Sequence, residues 1–246
     1  MRFDERFVAR IVLDPRHDTG RYPFTLPAVR ELFGEEGIEL DERVTFLVGD
    51  NGTGKSTIIE AIAVASGFNA EGGSTSFRFA TRATESSLAD YIRVERGLKR
   101  PRNGYFLRAE SFYNVATEIE RLGLDSTDAY GGGSLHERSH GESFLDLVMH
   151  RFGPRGLYIL DEPEAALSVK GCLALVARIV ELADDRSQFI IATHSPILLS
   201  VPGAKILQFS ENGCITQVAY DDAEPVSLTR RFLSNPERYL RYVLED

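Results

Sequence analysis

The sequence has no tryptophan, two methionines and only two cysteines among its 246 residues. Cys172 and Cys214 provide no disulfide framework, so a reducing compartment is expected, and both thiols are predicted to pack in the interior. No apolar run approaches the length of a membrane span, and the charged start of the chain lacks the apolar core of a signal peptide. These absences favour a cytoplasmic protein.

Basic residues are fewer than acidic ones, 28 against 37, which gives the chain a net charge of −9. A chain of this charge exerts little long-range attraction on DNA, RNA or anionic lipid, so nucleic acid is not an expected partner. One segment reverses the balance, and its two predicted strands, 91–94 and 105–107, are interpreted as a solvated hairpin. Its basic residues are Arg93, Arg96, Lys99, Arg100, Arg102 and Arg108.

The remaining composition, 43% hydrophobic and 26% charged, is that of an ordinary globular chain with one continuous core. Short apolar runs alternate with segments of helical periodicity, a rhythm that predicts an α/β fold with a mostly parallel sheet wrapped by helices, in a single domain covering 1–246. The predicted strands are 6–13, 44–48, 157–160, 189–192 and a hairpin of 205–209 with 215–219. The predicted helices begin at Lys55 and cover 112–122, 144–148, 169–182 and 230–244.

A glycine-rich segment follows the strand at 44–48. Residues 49–57 read GDNGTGKST and match G-x-x-x-x-G-K-[ST], with the strand before and the helix after that this pattern requires. Backbone amides of such a loop can surround phosphates, Lys55 can reach the β- and γ-phosphates, and the Ser56 hydroxyl can bind Mg²⁺. An ordinary strand–turn–helix loop is the alternative. The predicted nucleotide-binding residues are Asp50, Asn51, Gly52, Thr53, Gly54, Lys55, Ser56 and Thr57.

Two carboxylates, Asp161 and Glu162, follow the apolar strand at 157–160. In a nucleotide-hydrolysing site a strand-end aspartate holds the metal, and a neighbouring carboxylate can orient the attacking water. The same residues, followed by Pro163, also suit the start of a helix, where acidic residues and proline are favoured. The two interpretations are compatible.

In this order, the motifs between about residues 40 and 210 resemble an ABC-type ATPase, a family that includes SMC and RecF-like proteins. The strand ending in DEP resembles Walker B, with Glu162 at the catalytic-base position, and FIIATHS places His194 where the family has its switch histidine. Residues 22–30 and 232–240 are similar to stand-alone predicted AAA/ABC-type ATPases. The resemblance implies ATP and Mg²⁺, ATP hydrolysis, and a nucleotide-dependent homodimer that drives a protein partner.

The sequence RSHGE at 138–142 resembles the family signature L-S-G-G-Q and places Ser139 22 residues before Asp161. The resemblance implies a short helical subdomain at about 111–150, in which Ser139, Gly141 and Glu142 contact the nucleotide of the partner subunit. Arg138, His140 and Glu142 depart from the family's residues. Ser139 followed three residues later by Glu142 is also the pattern of a helix capping box.

Other positions depart from the family or lack a motif. Glu110, in FLRAESF, is the nearest counterpart of the family's glutamine and is predicted as a metal residue beside Ser56 and Asp161. A lone histidine at a strand end is more often structural, although the Ser195-Pro196 that follows His194 favours a phosphate contact. No motif identifies the adenine-binding residue, for which Tyr22 is a candidate.

Three functions compete for this chain. The first is a soluble ATPase that drives a protein partner, the second is the nucleotide-binding subunit of an ABC transporter, and the third is a RecF-like ATPase of DNA repair or defence. Only 29 residues separate Glu110 from Ser139, less than the helical subdomain that transporter subunits are known for. The first function is therefore preferred.

Overall fold

A computed structural model describes residues 5–14, 20–32, 37–74, 87–110, 112, 117 and 140–244. Of the predicted helix at 112–122 only residues 112 and 117 are described, both as helix, and Ser139 of the signature-like segment lies outside the described residues. The single domain and its subdomain at 111–150 therefore stay predictions. Among the helices of the described residues, none has the length and apolarity to cross a bilayer.

Strands and helices alternate along most of the described chain. The strands are β1 Arg10–Leu13, β2 Ile38–Glu39, β3 Val44–Gly49, β4 Ile92–Glu95, β5 Asn103–Arg108, β6 Gly156–Asp161, β7 Gln188–Ala192, β8 Lys205–Phe209 and β9 Ile215–Val218. The α-helices are α1 Pro27–Glu31, α2 Lys55–Ala65, α3 His140–Arg151, α4 Val169–Asp184, α5 Glu224–Ser234 and α6 Pro236–Leu244. Single 3₁₀ turns cover Ser87–Asp90, Pro163–Ala166, Leu198–Ser200 and Tyr220–Asp222.

Six strands form the central sheet in the order β5-β6-β7-β3-β8-β9. All neighbouring pairs are parallel except β8 with β9, which form the predicted hairpin. The predicted α/β fold with a mostly parallel sheet is thus confirmed. Because parallel strands end at the same edge, the residues that follow β6, β7 and β3 are neighbours in space.

Both faces of the central sheet are buried, which explains why its inner strands are predominantly apolar. On one face Phe46 and Tyr158 pack with residues of α3, α4 and α5. On the other face Leu47 and Ile159 pack with α2 and with the N-terminal part of the chain. All six residues of β3 and all six of β6 are buried, so the strand ends that carry the candidate site rest on a closely packed core.

The basic hairpin predicted from strands 91–94 and 105–107 is wrong. Strand β4 pairs antiparallel with β1 in a separate sheet of order β2-β1-β4, whereas β5 pairs with β6 at the edge of the central sheet. The basic residues are accordingly dispersed. Arg96 donates to the carbonyl of Ala65, Arg102 lies before β5, and Arg108 ends β5 beside the candidate site.

Two predictions near the C-terminus also need correction. The single helix predicted over 230–244 is two helices, α5 and α6, because Asn235 leaves the helical conformation before Pro236 begins the next helix. Cys172 is buried as predicted, but Cys214 is exposed in the turn between β8 and β9, where Asn212 and Gly213 reverse the chain. Both thiols are free.

A buried glutamine connects the central sheet to the N-terminal segment. The side-chain amide of Gln188, at the start of β7, donates to the carbonyls of Val8 and Asp41, both at 2.7 Å. Its carbonyl accepts from the amide of Val8 at 2.9 Å. Gln188 is 1% exposed, so these three hydrogen bonds satisfy polar groups that water does not reach.

Replacing Gln188 with leucine keeps the approximate volume but removes all three hydrogen bonds. We expect Gln188→Leu to lower the free energy of unfolding by about 1–3 kcal/mol, because buried backbone groups lose their partners. Urea unfolding measures the loss. Gln217→Leu, on the exposed face of β9, is the matched control and should change stability by less than about 0.5 kcal/mol. Equal losses in the two variants would contradict the bridging role.

Candidate functional site

The loop between β3 and α2 has the geometry of a phosphate-binding cradle. Gly49, Gly52 and Gly54 all have positive φ, at 145°, 82° and 99°, a region that favours glycine. At Gly49 a side chain is excluded as well, since a Cβ would lie 2.3 Å from the carbonyl oxygen of Phe209 on β8. Helix α2 starts at Lys55, so its positive end faces the concave side of this loop.

Lys55 lies folded into the loop, with its Nζ donating to the carbonyl oxygens of Gly49 at 2.6 Å and Asp50 at 2.8 Å. The residue is 4% exposed. Burial lowers the pKa of its ammonium group, and the nearby carboxylates, with Glu162 the largest contributor and Asp161 next, oppose that change. A triphosphate would supply negative charge where two neutral carbonyls now hold the ammonium group.

Asp161 is the last residue of β6 and is 6% exposed. Burial raises the pKa of its carboxyl to about 6; Arg108 acts in the opposite direction, Glu162 adds to the rise, and a hydrogen bond from the Ser56 hydroxyl lowers it. The Oδ1 atom is buried without a hydrogen-bond partner. A buried acceptor oxygen beside a serine hydroxyl fits the ligands that Mg²⁺ takes from this kind of site.

The described residues contain no group of three or more His, Cys, Asp or Glu side chains able to hold a metal ion by themselves. Mg²⁺ usually keeps several waters and takes the remaining ligands from one or two protein groups and substrate phosphates. Ser56 and Asp161 fit that requirement. Glu110 does not join them directly, because its side chain is 87% exposed and lies 3.8 Å from Arg108.

Glu162 and His194 face each other across the ends of β6 and β7. The His194 Nε2 lies 3.6 Å from Glu162 Oε1, and the Glu162 amide donates to the carbonyl of Ala192 at 3.0 Å. Glu162 has a φ of 48°, a left-handed conformation that costs energy in a residue with a side chain. Both side chains are partly accessible, at 39% and 34%, and the His194 Nε2 atom between them is buried without a hydrogen-bond partner.

Sequence reasoning missed Glu164, which lies in the 3₁₀ turn after Asp161. Its Oε1 accepts a hydrogen bond from the backbone amide of His194 at 2.6 Å and so fixes the start of the segment that follows β7. The repeated acidic residues of DEPE were the available signal. The third carboxylate, Glu164, suits a helix start equally well, so the pattern alone does not identify a partner 30 residues away.

The structure places part of the signature-like segment beside the Asp161 strand end. Gly141 and Glu142 lie in the first turn of α3, and a Cβ on Gly141 would lie 2.8 Å from the carbonyl oxygen of Ala166. Close packing therefore accounts for the glycine at this position. The predicted contact of Ser139, Gly141 and Glu142 with a second subunit's nucleotide stays a prediction.

Tyr22 lies close to the end of the phosphate loop. Its hydroxyl is 3.4 Å from the Thr57 hydroxyl, and the residue is 67% exposed. An exposed aromatic ring at this position is available to stack on a base. The structure thus brings together Tyr22, Lys55, Asp161, Glu162 and His194, which the sequence supplies from four separate segments.

A separate open cleft of the described residues lies at the opposite edge of the sheet. Arg43, Arg102, Arg155 and Lys205 are among the residues that line this open cleft of about 1440 Å³. They precede or begin the strands β3, β5, β6 and β8, whereas the phosphate loop follows β3. The cleft is therefore separate from the candidate site.

Known proteins provide an independent comparison. Residues 29–135 match the family model described as an AAA domain. Over 90 residues the chain is 34% identical to the chromosome partition protein Smc of Methanocaldococcus jannaschii, a match covering 37% of this chain and 7% of that protein. The chain thus corresponds to a small part of its curated relative.

Solved structures of similar folds have low sequence identity. The SMC head domain from Thermotoga maritima is 20% identical, with a TM-score of 0.42, covering 74% of this chain and 92% of that one. A nucleotide-free ATP-binding cassette from an ABC transporter is also 20% identical, with a TM-score of 0.43, covering 83% and 92%. With the geometry above, the AAA-domain match over residues 29–135 and the Smc similarity over 90 residues support a P-loop nucleotide-binding fold related to these proteins.

Proposed function

We propose that this chain binds ATP with Mg²⁺ at the loop after β3 and hydrolyses it. One observation carries the proposal. Lys55, Asp161, Glu162 and His194 meet at one edge of the sheet, where the neighbouring strands β6, β7 and β3 end. A cation, a metal-binding carboxylate, a water-orienting carboxylate and a hydrogen-bonding ring in one place are the groups that phosphoryl transfer to water requires.

Each residue has a separate role in this proposal. Lys55 exchanges its two backbone carbonyl partners for the β- and γ-phosphates, while the amides of residues 50–57 surround them. Ser56 and Asp161 hold Mg²⁺, which when bound neutralises charge on the phosphates. Glu162 orients the attacking water, and His194 contacts the γ-phosphate from the neighbouring strand end.

Lys55→Ala tests the binding half of the proposal. Because the ammonium group makes charge-assisted hydrogen bonds to the phosphates, we expect the affinity for Mg-ATP to fall about tenfold to a hundredfold. Isothermal titration calorimetry measures the change. Lys205→Ala, which removes a partly exposed lysine at the opposite edge of the sheet, is the control and should bind as the wild type does. Equal ATP affinity in wild type and Lys55→Ala would rule out the phosphate loop.

The proposal extends to a dimer that closes around the nucleotide. Helix α3 begins at His140 and its first turn packs against the 3₁₀ turn that follows Asp161. The amide donors at the start of a helix attract phosphate oxygens. The resemblance of 138–142 to the family signature supports a role for these donors in the site of a second copy, with Ser139 contributing its hydroxyl.

Glu162→Gln is the variant that separates binding from hydrolysis. Since it keeps the size of the side chain but removes the carboxylate, we expect turnover to fall about 10²–10⁴-fold while bound ATP persists. Light scattering should then report a monomer without nucleotide and a dimer with Mg-ATP. Glu181→Gln, on the exposed face of α4, is the control and should retain wild-type turnover.

Ser139→Arg, made in the Glu162→Gln background, tests the contact between the two copies. We expect it to abolish the ATP-dependent dimer while leaving ATP affinity unchanged, because a large side chain blocks the second copy's γ-phosphate. Thr229→Arg, an exposed substitution on α5, should leave the dimer intact. A monomer in Glu162→Gln with Mg-ATP, and full activity in Ser139→Arg alone, would mean that the segment is only a helix cap.

A second function, an ATPase that acts on nucleic acid, is favoured by one observation, the arginine-lined cleft at the opposite edge of the sheet. Overall charge opposes it. Fluorescence anisotropy with a 20-base-pair duplex across a salt series compares the two, and we expect weak binding that disappears near physiological salt. A tight complex at that salt, weakened by Arg102→Glu, would instead favour the RecF-like function.

A further inference from the structure

Arg108 holds an unusual position beside the proposed metal-binding carboxylate. It ends β5, directly opposite Asp161 in the parallel register with β6. Its guanidinium group lies among three carboxylates from different parts of the chain. Its NH1 is 2.7 Å from Oε2 of Glu60 on α2, its Nε is 3.5 Å from Oδ2 of Asp161, and its NH2 is 3.8 Å from Oε2 of Glu110.

These three contacts differ in strength. The contact with Glu60 is short, and both side chains are largely buried, at 19% and 13% exposure, so this charge-assisted hydrogen bond anchors the guanidinium group. The contact with Asp161 is a charge–charge contact without a hydrogen bond, because the Arg108 Nε and the Asp161 Oδ1 are both buried without hydrogen-bond partners. Asp161 is therefore compensated by Arg108 but remains open to a further ligand.

From this arrangement we propose that Arg108 is a positioning residue that acts as the resident counter-cation of Asp161 and competes with Mg²⁺ for it. The inference rests on the proposed function, since it assigns the metal to Asp161. In the absence of metal, Arg108 compensates the charge of a nearly fully buried carboxylate, which otherwise costs folding energy. When Mg²⁺ binds, the two cations repel each other at a separation of a few ångströms, so the metal binds more weakly than Asp161 alone would allow.

Arg108 also links the proposed metal site to two other segments through its contacts with Glu60 and Glu110. Glu60 lies on α2, the helix that starts at the phosphate loop, and Glu110 directly precedes the segment that leads to Ser139 in the sequence. A guanidinium group repelled by Mg²⁺ retains its bond to Glu60 and shifts its charge toward Glu110. Metal occupancy thereby changes the positive charge that Glu110 faces.

The test titrates Mg²⁺ at a fixed, saturating concentration of ADP, whose phosphates complete the ligands of the metal, and uses thermal unfolding as the readout. We expect Arg108→Gln to unfold at a lower temperature than wild type in EDTA, because Asp161 and Glu60 lose their counter-cation. We expect Mg²⁺ to reverse that loss, with a half-maximal concentration about tenfold lower than in wild type. Arg108→Lys keeps the charge and should restore the wild-type response to Mg²⁺.

Arg178→Gln is the matched control. Its side chain is 18% exposed, pairs with Glu181, and donates to the carbonyls of Phe152 and Met149, none of which is a proposed metal residue. This variant should lose stability without any change in the response to Mg²⁺. Glu60→Gln tests the opposite sign. Without this anchor Arg108 keeps only its contacts with Asp161 and Glu110, so more of its charge is available to Asp161, and the half-maximal Mg²⁺ concentration should rise. If Arg108→Gln does not fold, the half-maximal Mg²⁺ concentration of Glu60→Gln becomes the test. An unchanged value in this variant would then overturn the inference.

Two results would overturn the inference. Equal half-maximal Mg²⁺ concentrations for wild type and Arg108→Gln would mean that Arg108 only forms structural ion pairs. A loss of ATP affinity in EDTA as large as that of Lys55→Ala would mean that Arg108 binds the phosphates instead. Failure of the proposed function is distinguishable, since in that case wild-type protein does not bind Mg-ATP in a Lys55-dependent manner at all.

Discussion

The parallel pairing of β6, β7 and β3 is the constraint on which the candidate site depends. Since these strands run in one direction and are held in register by backbone hydrogen bonds, the residues that follow them emerge at a single edge. Asp161, His194 and the phosphate loop become neighbours for this reason alone. The buried strands form the rigid base, and the loops after them carry the chemical groups, an arrangement common in open α/β sheets.

Charge is concentrated at this edge, and its burial opposes folding. Burial lowers the pKa of Lys55 and raises that of Asp161, which means that each charged form is less favourable here than in water. Apolar packing on both faces of the sheet stabilises the fold and offsets the cost of burying these charged groups. Under the proposed function, phosphate oxygens would face the Lys55 ammonium group and Mg²⁺ would face the Asp161 carboxylate, so ligand binding would offset the cost of burying both groups.

Strained backbone conformation near the same edge also opposes folding. Glu162 takes a left-handed conformation between the end of β6 and the 3₁₀ turn, and Gly49 lies against the carbonyl of Phe209 in a space that admits no side chain. Residues held in this way keep their place only where the surrounding structure determines them. The buried β3 and β6 provide that surrounding structure.

Local signals in the sequence were sufficient for the elements and for the phosphate loop. Uninterrupted apolar strands, the glycine pattern of 49–57, and acidic residues after the strand at 157–160 each depend on only a few neighbouring residues. They correctly predicted β3, β6, β7, α2, α4 and the mostly parallel sheet. The break before Pro236 and the exposure of Cys214 were missed, since helical periodicity continues across Pro236 and apolar neighbours do not establish burial.

Only the tertiary structure establishes which strands are neighbours, and the strand order changes the interpretation of several residues. Two strands with a turn-rich connection suggested a hairpin, yet β4 and β5 belong to different sheets. Arg108, which was predicted to lie on a solvated hairpin, therefore lies beside Asp161. Glu60 and Glu164 contact partners that are far away in the sequence. The sequence by itself determined the chemical groups and their local geometry, because these depend on adjacent residues. The pairing of buried charges depends on sheet order, which long-range packing alone selects.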